Sequence, residues 1–359
     1  MGASWTAFTR NGCIHGNEMR FFINIFRIVP WLVILCLGAT SCEPLTDLPG
    51  SQGQQATNQT EVTTPASVAQ ASQTPNPPPS ATFTMAPTET VPPTATQAPV
   101  ALRFAVIGDF GEGNQAEKDV SKLVKSWKPD LVITTGDNNY PDGAAETIDQ
   151  HIGQYYADFI APYHGAYGAG ADQNRFFPTL GNHDWNTPNA QPYLDYFELP
   201  GNERYYDFVW EPVHFFAVDA DSREPDGVSK ISIQAQWLKE RLASSSSIWN
   251  VVYFHQPPYS SGYHGSVDWM RWPFAEWGAD AVLSGHDHLY ERLVIDGIPY
   301  FINGLGGGPI YWFTGSLPGS QVQYNGDYGA MLVEADSQQM TFQFISRTGE
   351  LIDSYQVTR

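Results

Sequence analysis

From residue 102 onward, short apolar runs alternate with longer amphipathic stretches, and this alternation predicts an α/β fold. Residues 102–107 and 131–135 are apolar runs, and the stretch between them, 115–127, has helical spacing with polar faces. Because the runs are apolar throughout, we expect a mostly parallel sheet that is buried on both faces. The other predicted strands are residues 176–180, 204–209, 213–219, 251–254 and 281–283, and the other predicted helices are residues 144–159, 190–197 and 233–242.

Beyond residue 288 the pattern changes to closely spaced short strands. This change predicts a second, antiparallel sheet packed on the first. The predicted strands are residues 291–295, 298–303, 330–334, 340–345 and 351–357.

The first 42 residues have the features of a signal peptide. Residues 21–41 are largely apolar, with Arg20 and Arg27 on the amino side and small residues at the exit. Cys42 follows directly and resembles a bacterial lipoprotein cleavage site, although Ala39 stands where leucine is expected. Lipidation of Cys42, ordinary signal cleavage and an uncleaved anchor all fit this pattern.

Residues 43–100 are rich in Thr, Pro, Gln, Ser and Ala, which predicts a disordered, extended linker. Met19 is an alternative start to Met1, because the residues before it resemble no signal sequence.

Because the predicted linker ends at residue 100, the functional domain is expected to be residues 101–359. It would be secreted or extracytoplasmic, and tethered to a membrane if Cys42 is lipidated.

Charge and cysteine usage restrict the chemistry of this domain. The 359-residue chain has a formal net charge of −20 and a pI of about 4.6, which disfavours binding to nucleic acids. Its three cysteines are Cys13, Cys36 and Cys42, so the domain contains no disulfide and no cysteine-ligated metal. Any metal ion there must be held by oxygen and nitrogen atoms.

Several apolar runs end in a polar motif containing Asp, Asn or His. The motifs are Gly108-Asp109-Phe110-Gly111, Gly136-Asp137-Asn138-Asn139-Tyr140, Gly181-Asn182-His183-Asp184, His255-Gln256-Pro257-Pro258 and Gly285-His286-Asp287-His288. Because open α/β sheets bind ligands at the carboxyl ends of their strands, these motifs predict a metal centre. The candidate ligands are Asp109, Asp137, Tyr140, Asn182, His255, His286 and His288.

This donor set divides naturally between two metal ions that share one carboxylate. Two adjacent cations can clamp the attacking and leaving oxygens of a phosphoryl transfer and can generate hydroxide at mild pH. Taken singly, each residue has an ordinary structural explanation, as a turn former, a helix cap or a packed histidine. The recurrence of the motifs at strand ends favours the metal centre.

In their order, the motifs resemble those of the calcineurin-like metallophosphoesterase superfamily. Tyr140 narrows the resemblance to the purple acid phosphatases, in particular the small enzymes similar to the mammalian tartrate-resistant type. The resemblance spans about residues 101–300. It implies an α/β fold of the metallophosphoesterase type, a βαβ sandwich of two mixed sheets flanked by helices. It also implies an acid phosphatase acting on small phosphomonoesters.

The resemblance further implies a binuclear centre of Fe³⁺ with Fe²⁺, Zn²⁺ or Mn²⁺. Asp109, Tyr140 and His288 would hold the ferric ion, Asn182, His255 and His286 would hold the divalent ion, and Asp137 would bridge them. A tyrosinate bound to Fe³⁺ would colour the protein, and a phenolate is a hard anion that suits the more highly charged ion. Alternatively, Tyr140 is a wall of the pocket, and both ions are divalent and colourless.

Three further residues have expected catalytic roles. His183 follows a ligand and should point toward the substrate phosphate, with Asp184 orienting its ring. His264 occupies the position of a second active-site histidine in the tartrate-resistant enzymes, so it is a candidate general acid. The alternative for His264 is an exposed loop residue.

Two other functions fit the same motifs. One is a phosphodiesterase or nucleotide hydrolase on the same scaffold, and the other is a non-catalytic surface protein that uses the fold for binding. The glycine-rich residues 303–309 do not form a P-loop, because the Gly-Lys-Ser/Thr ending and the following helix are missing.

Overall fold

A computed structural model describes residues 102–359 of the chain. The predicted signal peptide (1–42), the lipidation of Cys42 and the linker (43–100) lie outside the described residues, and they stay predictions. Within residues 102–359, no helix combines the length and the apolar character needed to cross a bilayer.

The strands of the described domain form two mixed sheets. The six-stranded sheet has the order β13-β12-β11-β1-β2-β3, and the seven-stranded sheet has the order β10-β8-β9-β7-β6-β5-β4. The strands are β1 Leu102–Ile107, β2 Leu131–Thr134, β3 Phe176–Pro178, β4 Tyr206–Trp210, β5 Val213–Ala217, β6 Trp249–Tyr253, β7 Ala281–Ser284, β8 Tyr290–Ile295, β9 Ile298–Asn303, β10 Ser320–Tyr324, β11 Gly329–Ala335, β12 Gln339–Ser346 and β13 Leu351–Thr358.

Each sheet has a parallel centre and antiparallel strands at its margins. In the first sheet β1, β2 and β3 are parallel, and β11 to β13 are antiparallel additions. In the second sheet β5, β6, β7 and β9 are parallel, whereas β4, β8 and β10 pair antiparallel. The predicted fold class, an α/β sandwich of two mixed sheets, is confirmed.

The expectation that the late strands make an antiparallel sheet of their own is wrong. Strands β8 and β9 form a hairpin through the turn at Asp296 and Gly297, both with positive φ, and β9 then lies parallel to β7. Strands β11 to β13 form a meander that attaches to β1 instead, with Phe104 opposite Val333. The late strands are therefore divided between the two sheets, because β8 to β10 stay with the nearby β7 whereas β11 pairs with β1, far away in the sequence.

The main core lies between the sheets, and helices cover both outer faces. Phe104 of the first sheet contacts Phe215 of the second, with ring centroids 5.0 Å apart. Neighbouring residues of the same strands, such as Ala105 and Phe216, point outward into two further apolar clusters under the helices. Both faces of these strands are thus buried, which explains why the runs are apolar throughout.

The predicted helices at residues 115–127, 190–197 and 233–242 are present, a short helix at Phe274–Trp277 was not predicted, and residues 144–159 do not form the single helix that was expected. That stretch is broken by a π-helical turn at Asp149–Gly153 and ends in a 3₁₀ turn at Ala157–Phe159. The α-helices are α1 Gln115–Ser126, α2 Ala145–Ile148, α3 Gln154–Tyr156, α4 Gln191–Tyr196, α5 Ile233–Ser244 and α6 Phe274–Trp277, and further 3₁₀ turns are Asp184–Asn186, Pro188–Ala190 and Asp268–Met270.

Helix α1 begins at a cap that buries a carboxyl group. The side chain of Asn114 accepts a hydrogen bond from the backbone N–H of Glu117, and Glu117 Oε2 accepts one from Gly113 N at 2.7 Å. Glu117 is fully buried, and its Oε1 has no hydrogen-bond partner among the described residues. Burial therefore raises the pKa of Glu117 well above its usual 4.5.

We predict that Glu117→Gln makes the protein more stable at pH 8, by about 1–2 kcal/mol, and changes little near pH 4. The folded-state pKa is raised, so the wild type loses stability as the pH rises through that pKa, and the glutamine variant does not. Urea unfolding at both pH values measures the difference. The exposed Glu146→Gln is the control, and identical pH dependence of Glu117→Gln and wild type would contradict the prediction.

Candidate metal centre

Five parallel strands from both sheets end at the same place, and each leads into a candidate ligand. β1, β2 and β3 lead into Asp109, Asp137 and Asn182, and β6 and β7 lead into His255 and His286. The carboxyl ends of parallel strands are where α/β sheets bind ligands. The topology therefore brings together residues that are far apart in the sequence.

Three candidate ligands have the left-handed backbone conformation that non-glycine residues rarely adopt. The φ angles are 53° at Asp109, 50° at Asp137 and 69° at His286. Such residues cost roughly 1–3 kcal/mol each and persist where the surroundings hold them. Here His286 N donates to both carboxylate oxygens of Asp109, at 3.1 and 3.0 Å, so one strained turn orients the other.

One group of donor atoms surrounds the hydroxyl of Tyr140. Tyr140 Oη lies 2.9 Å from His288 Nε2, 3.1 Å from Asp137 Oδ2 and 3.4 Å from Asp109 Oδ1. Asp109, Asp137 and His288 each offer an atom within 4.8 Å of the others, and all three are buried. Burial and the neighbouring carboxylates raise the pKa of Tyr140 well above 10, so ionisation of this phenol requires a nearby cation.

A second group of donor atoms surrounds His255 Nε2. This nitrogen lies 3.0 Å from Asn182 Oδ1, 3.2 Å from His286 Nδ1 and 3.3 Å from Asp137 Oδ2. The carboxylate of Asp137 thus faces both groups. The structure brings all seven predicted ligands together at these two adjoining points.

Backbone carbonyls orient two of the imidazoles. His255 Nδ1 lies 2.8 Å from Thr135 O, and His288 Nδ1 lies 2.7 Å from Pro309 O. Because a carbonyl oxygen only accepts hydrogen bonds, each Nδ1 must carry the proton. Each Nε2 is then available to a metal ion when the ring is neutral.

The electrostatics of the cluster favour added positive charge. Burial would lower the pKa of His255, but Asp137 and Asp109 raise it to about 10. Burial would likewise raise the pKa of Asp137, but His255 and His183 lower it well below its usual range. Two carboxylates, a phenol, an amide oxygen and three imidazoles are hard and borderline donors that fit iron, zinc or manganese ions.

His183 lies at the open side of the cluster. Its backbone N–H donates to Asp137 Oδ1 at 2.8 Å, and its ring is 4.5 Å from the ring of Tyr140. The side chain is 34% exposed, and its Nε2 is 4.0 Å from Asp137 Oδ2. A molecule that enters the site therefore meets this imidazole.

The expected contact between Asp184 and the ring of His183 is wrong. A 3₁₀ turn that begins at Asp184 carries its carboxylate back to Gly181 N at 2.9 Å and to Asn138 Nδ2 at 2.8 Å. The ring of His183 contacts the carbonyl of Pro141 instead. Asp184 therefore joins the two motifs that contain Asp137 and Asn182, and burial, followed by the charge of Asp137, raises its pKa to about 7.

His264 lies on the other side of the cluster. Its ring is 4.4 Å from the ring of His286, and its backbone N–H donates to Asp287 Oδ1 at 2.8 Å. The side chain is exposed on a loop. Partial desolvation lowers its pKa below 6.5, although Asp287 opposes this effect.

Sequence reasoning missed Arg223, because a charged residue in an irregular loop carries no pattern. Its guanidinium donates to Asn182 O at 2.8 Å and to Trp185 O at 2.9 Å. Both oxygens of Asp221 hold the same guanidinium, at 2.7 and 2.9 Å. Arg223 is thus a positioning residue for the loop that carries Asn182 and His183.

A cavity of about 420 Å³ opens beside the donor cluster. Tyr311, which sequence reasoning also missed, stacks on His288 at this cavity, with ring centroids 4.2 Å apart and an interplanar angle of 9°. The cavity is lined by Glu112, Tyr140, Pro141, His151, His183, His288, Pro309 and Tyr311.

Comparison with known proteins identifies the family. Residues 102–290 match the family model described as calcineurin-like phosphoesterase. Over 307 residues the chain is 24% identical to tartrate-resistant acid phosphatase type 5 of Homo sapiens. The aligned region covers 72% of this chain and 92% of that relative.

Two solved structures share the fold. Purple acid phosphatase PPD1 from yellow lupin (Lupinus luteus) superimposes with a TM-score of 0.57 at 18% sequence identity. The superposition covers 72% of this chain and 54% of the lupin chain. GAP50, titled the anchor in the inner membrane complex of Plasmodium, has a TM-score of 0.54 at 20% identity, covering 72% and 88%. At these identities the likeness shows the fold alone.

We predict that Arg223→Ala lowers the affinity of the site for its metal ions by about 10–100-fold, because the backbone that carries Asn182 loses its support. Metal titration by calorimetry measures this effect without relying on turnover. Arg223→Lys should give an intermediate loss, since lysine cannot form the forked contact. Arg241→Ala, which breaks an exposed ion pair with Asp207, is the control, and unchanged metal affinity in Arg223→Ala would contradict the prediction.

Proposed function

Because this chain belongs to the calcineurin-like phosphoesterase family, we propose that it is an acid phosphatase that hydrolyses phosphomonoesters at a centre of two metal ions. Its family and its curated relatives make it a phosphoester hydrolase. Preference for monoesters, the pair of ions and the identity of the metals are the finer parts of this proposal.

The observation that carries the proposal is the position of Asp137. Its Oδ2 lies 3.1 Å from Tyr140 Oη in one group of donors and 3.3 Å from His255 Nε2 in the other. A carboxylate between two donor groups is what a pair of bridged cations requires. Two such ions would neutralise charge on a transferred phosphoryl group and lower the pKa of water.

The donor chemistry supports an unequal pair of metals. A phenolate and carboxylates are hard anions that suit Fe³⁺, whereas imidazoles and an amide oxygen suit Fe²⁺, Zn²⁺ or Mn²⁺. In the proposed assignment Asp109, Tyr140 and His288 would hold Fe³⁺, Asn182, His255 and His286 would hold the divalent ion, and Asp137 would be shared by both.

The two flanking histidines would act on the substrate. His183, partly exposed beside Tyr140, would bind the phosphate through Nε2 as an imidazolium, because its Nδ1 already donates to the carbonyl of Pro141. His264, next to His286, would hold a proton for the oxygen of the leaving group. An alkyl phosphate needs this proton most, because an alkoxide leaves poorly.

We also propose the setting in which the enzyme works. The pattern of residues 1–42 supports an extracytoplasmic location, with a membrane tether if Cys42 is lipidated. The partner would be a small phosphate ester, and the net charge of −20 disfavours a nucleic acid in that role.

The proposal predicts that the purified full chain contains two metal ions per molecule, absorbs visible light and hydrolyses monoesters faster than diesters. Asp137→Asn should lose at least one metal ion and reduce turnover by at least about 10³-fold, because the shared negative charge is removed. Metal analysis, absorption spectroscopy and steady-state kinetics measure these properties.

The exposed Asp142→Asn, in the same loop, is the control for that substitution. A preference for diesters would refute the monoesterase assignment. A metal-free, inactive protein would favour a binding protein. A colourless but active protein would refute only the ferric site.

We predict that His264→Ala slows the hydrolysis of simple alkyl phosphates by about 10²–10⁴-fold and that of 4-nitrophenyl phosphate much less. The difference arises because nitrophenolate leaves without a proton. Turnover numbers on both esters, with metal content as a check, measure it. His164→Ala, another exposed histidine, is the control, and an equal loss on both esters would exclude a general-acid role.

A further inference from the structure

We propose that Tyr263, Tyr311 and Trp312 form a subsite, here called the aromatic platform, that binds the leaving group of the substrate. The platform would select phosphomonoesters whose leaving group carries a neutral, planar ring. This inference rests on the proposed phosphatase function and adds its substrate class.

The platform begins at the metal centre and extends outward from it. Tyr311 stacks on His288 and lies 5.2 Å from the ring of His264. Tyr263 lies 5.7 Å from Tyr311 and 4.6 Å from Trp312. The three rings therefore form an unbroken row from a proposed ligand to the protein surface, with Tyr263 tilted by 57° to each of its two neighbours, so a flat group would stack on one ring and contact the edge of the next.

The outer part of this surface is left open to solvent. Tyr263 is 52% exposed and Trp312 is 56% exposed, although large aromatic side chains gain free energy by burial. Single exposed apolar residues are common and need no explanation. Two adjoining aromatic rings beside a catalytic centre are a binding surface for another flat apolar group.

Hydrogen bonds fix the backbone of the two loops that carry the platform. Tyr311 N donates to His288 O at 2.9 Å, and Asn325 Nδ2 donates to Tyr311 O at 2.8 Å. Thr314 joins the two loops, since its N–H donates to Ser261 O at 2.9 Å and its hydroxyl to Gly262 O at 3.1 Å. A surface already ordered loses little conformational entropy on binding, so stacking on it is favourable.

The charge around the cavity indicates a neutral leaving group. Among residues 102–359, those that line the cavity include no lysine or arginine, and Glu112 contributes a carboxylate. The nearby Arg223 is paired with Asp221. A leaving group with further phosphates would therefore find no lysine or arginine among the described residues that line the cavity, and it would be repelled by Glu112.

Two kinds of substrate carry such a ring: benzyl-type or aryl phosphates, and nucleoside monophosphates. Both have the flat, uncharged face that stacks on tyrosine and tryptophan. The pair of benzyl phosphate and cyclohexylmethyl phosphate isolates planarity, because size and leaving-group acidity are similar. The pair of AMP and ribose 5-phosphate isolates the contribution of a nucleobase, because both substrates are cleaved at a phosphate ester of the ribose 5-carbon.

The experiment uses the metal-loaded full chain and compares kcat/KM within each pair. We expect a preference of roughly tenfold for the planar member of at least one pair, expressed mainly in KM. Trp312→Ala and Tyr263→Ala should each reduce that ratio toward one, whereas Trp312→Phe should keep most of it. Ile233→Ala, which removes an apolar side chain that is 66% exposed on α5, should leave the ratio at its wild-type value.

Binding of benzylphosphonate and cyclohexylmethylphosphonate, measured by calorimetry, gives a readout that does not depend on turnover. Hydrolysis without any planar preference, or a preference that survives both alanine substitutions, would overturn the aromatic platform. Tighter binding of benzylphosphonate without hydrolysis of any monoester would support the platform and refute the phosphatase. Preference for AMP alone would identify nucleosides as the leaving groups, and preference for benzyl phosphate alone would identify simple aromatic alcohols.

Discussion

A buried carboxylate needs compensating positive charge, and the site is arranged around this requirement at Asp137. The side chain is 2% exposed and faces a phenol on one side and an imidazole on the other. Without a cation, the compensating charge is a proton on His255, whose pKa the carboxylates raise to about 10. Metal ions would replace that proton, so the protein supplies a place for cations.

The two sheets hold the strained turns of the candidate metal centre in their left-handed conformation. Left-handed backbone at Asp109, Asp137 and His286 would relax in a mobile loop, but each turn follows directly from a buried parallel strand. Further contacts tie the loops to one another, from Asp184 to Asn138 and from Arg223 to Asn182. Residues that would not contact a metal ion therefore hold the candidate ligands in position.

A local signal in the sequence, an apolar run followed by Gly and then a polar residue, was sufficient to predict that Asp109, Asp137, Asn182 and His286 lie close together. His255 lacks the glycine, and Tyr140 was assigned from its motif and the family resemblance. The sequence was insufficient wherever the outcome depended on contacts between distant segments. Strand β11 pairs with β1 across more than two hundred residues, and no local pattern distinguishes that partner from β9. The contact of Asp184 with Gly181 and the forked contact of Arg223 depend in the same way on how turns close in three dimensions.

The negative charge of the chain bears on how a substrate's phosphate is bound and on how its leaving group is selected. A protein with a net charge of −20 repels phosphate esters at long range, and no lysine or arginine among the described residues lines the cavity. In the proposed mechanism, attraction for the phosphate would come from the metal ions and from histidine hydrogen bonds at short range. Those interactions are common to every phosphomonoester, so they cannot distinguish one from another. Discrimination between substrates would then come from the aromatic surface beside the proposed metal centre, where Tyr311 connects His288 to the exposed rings of Tyr263 and Trp312.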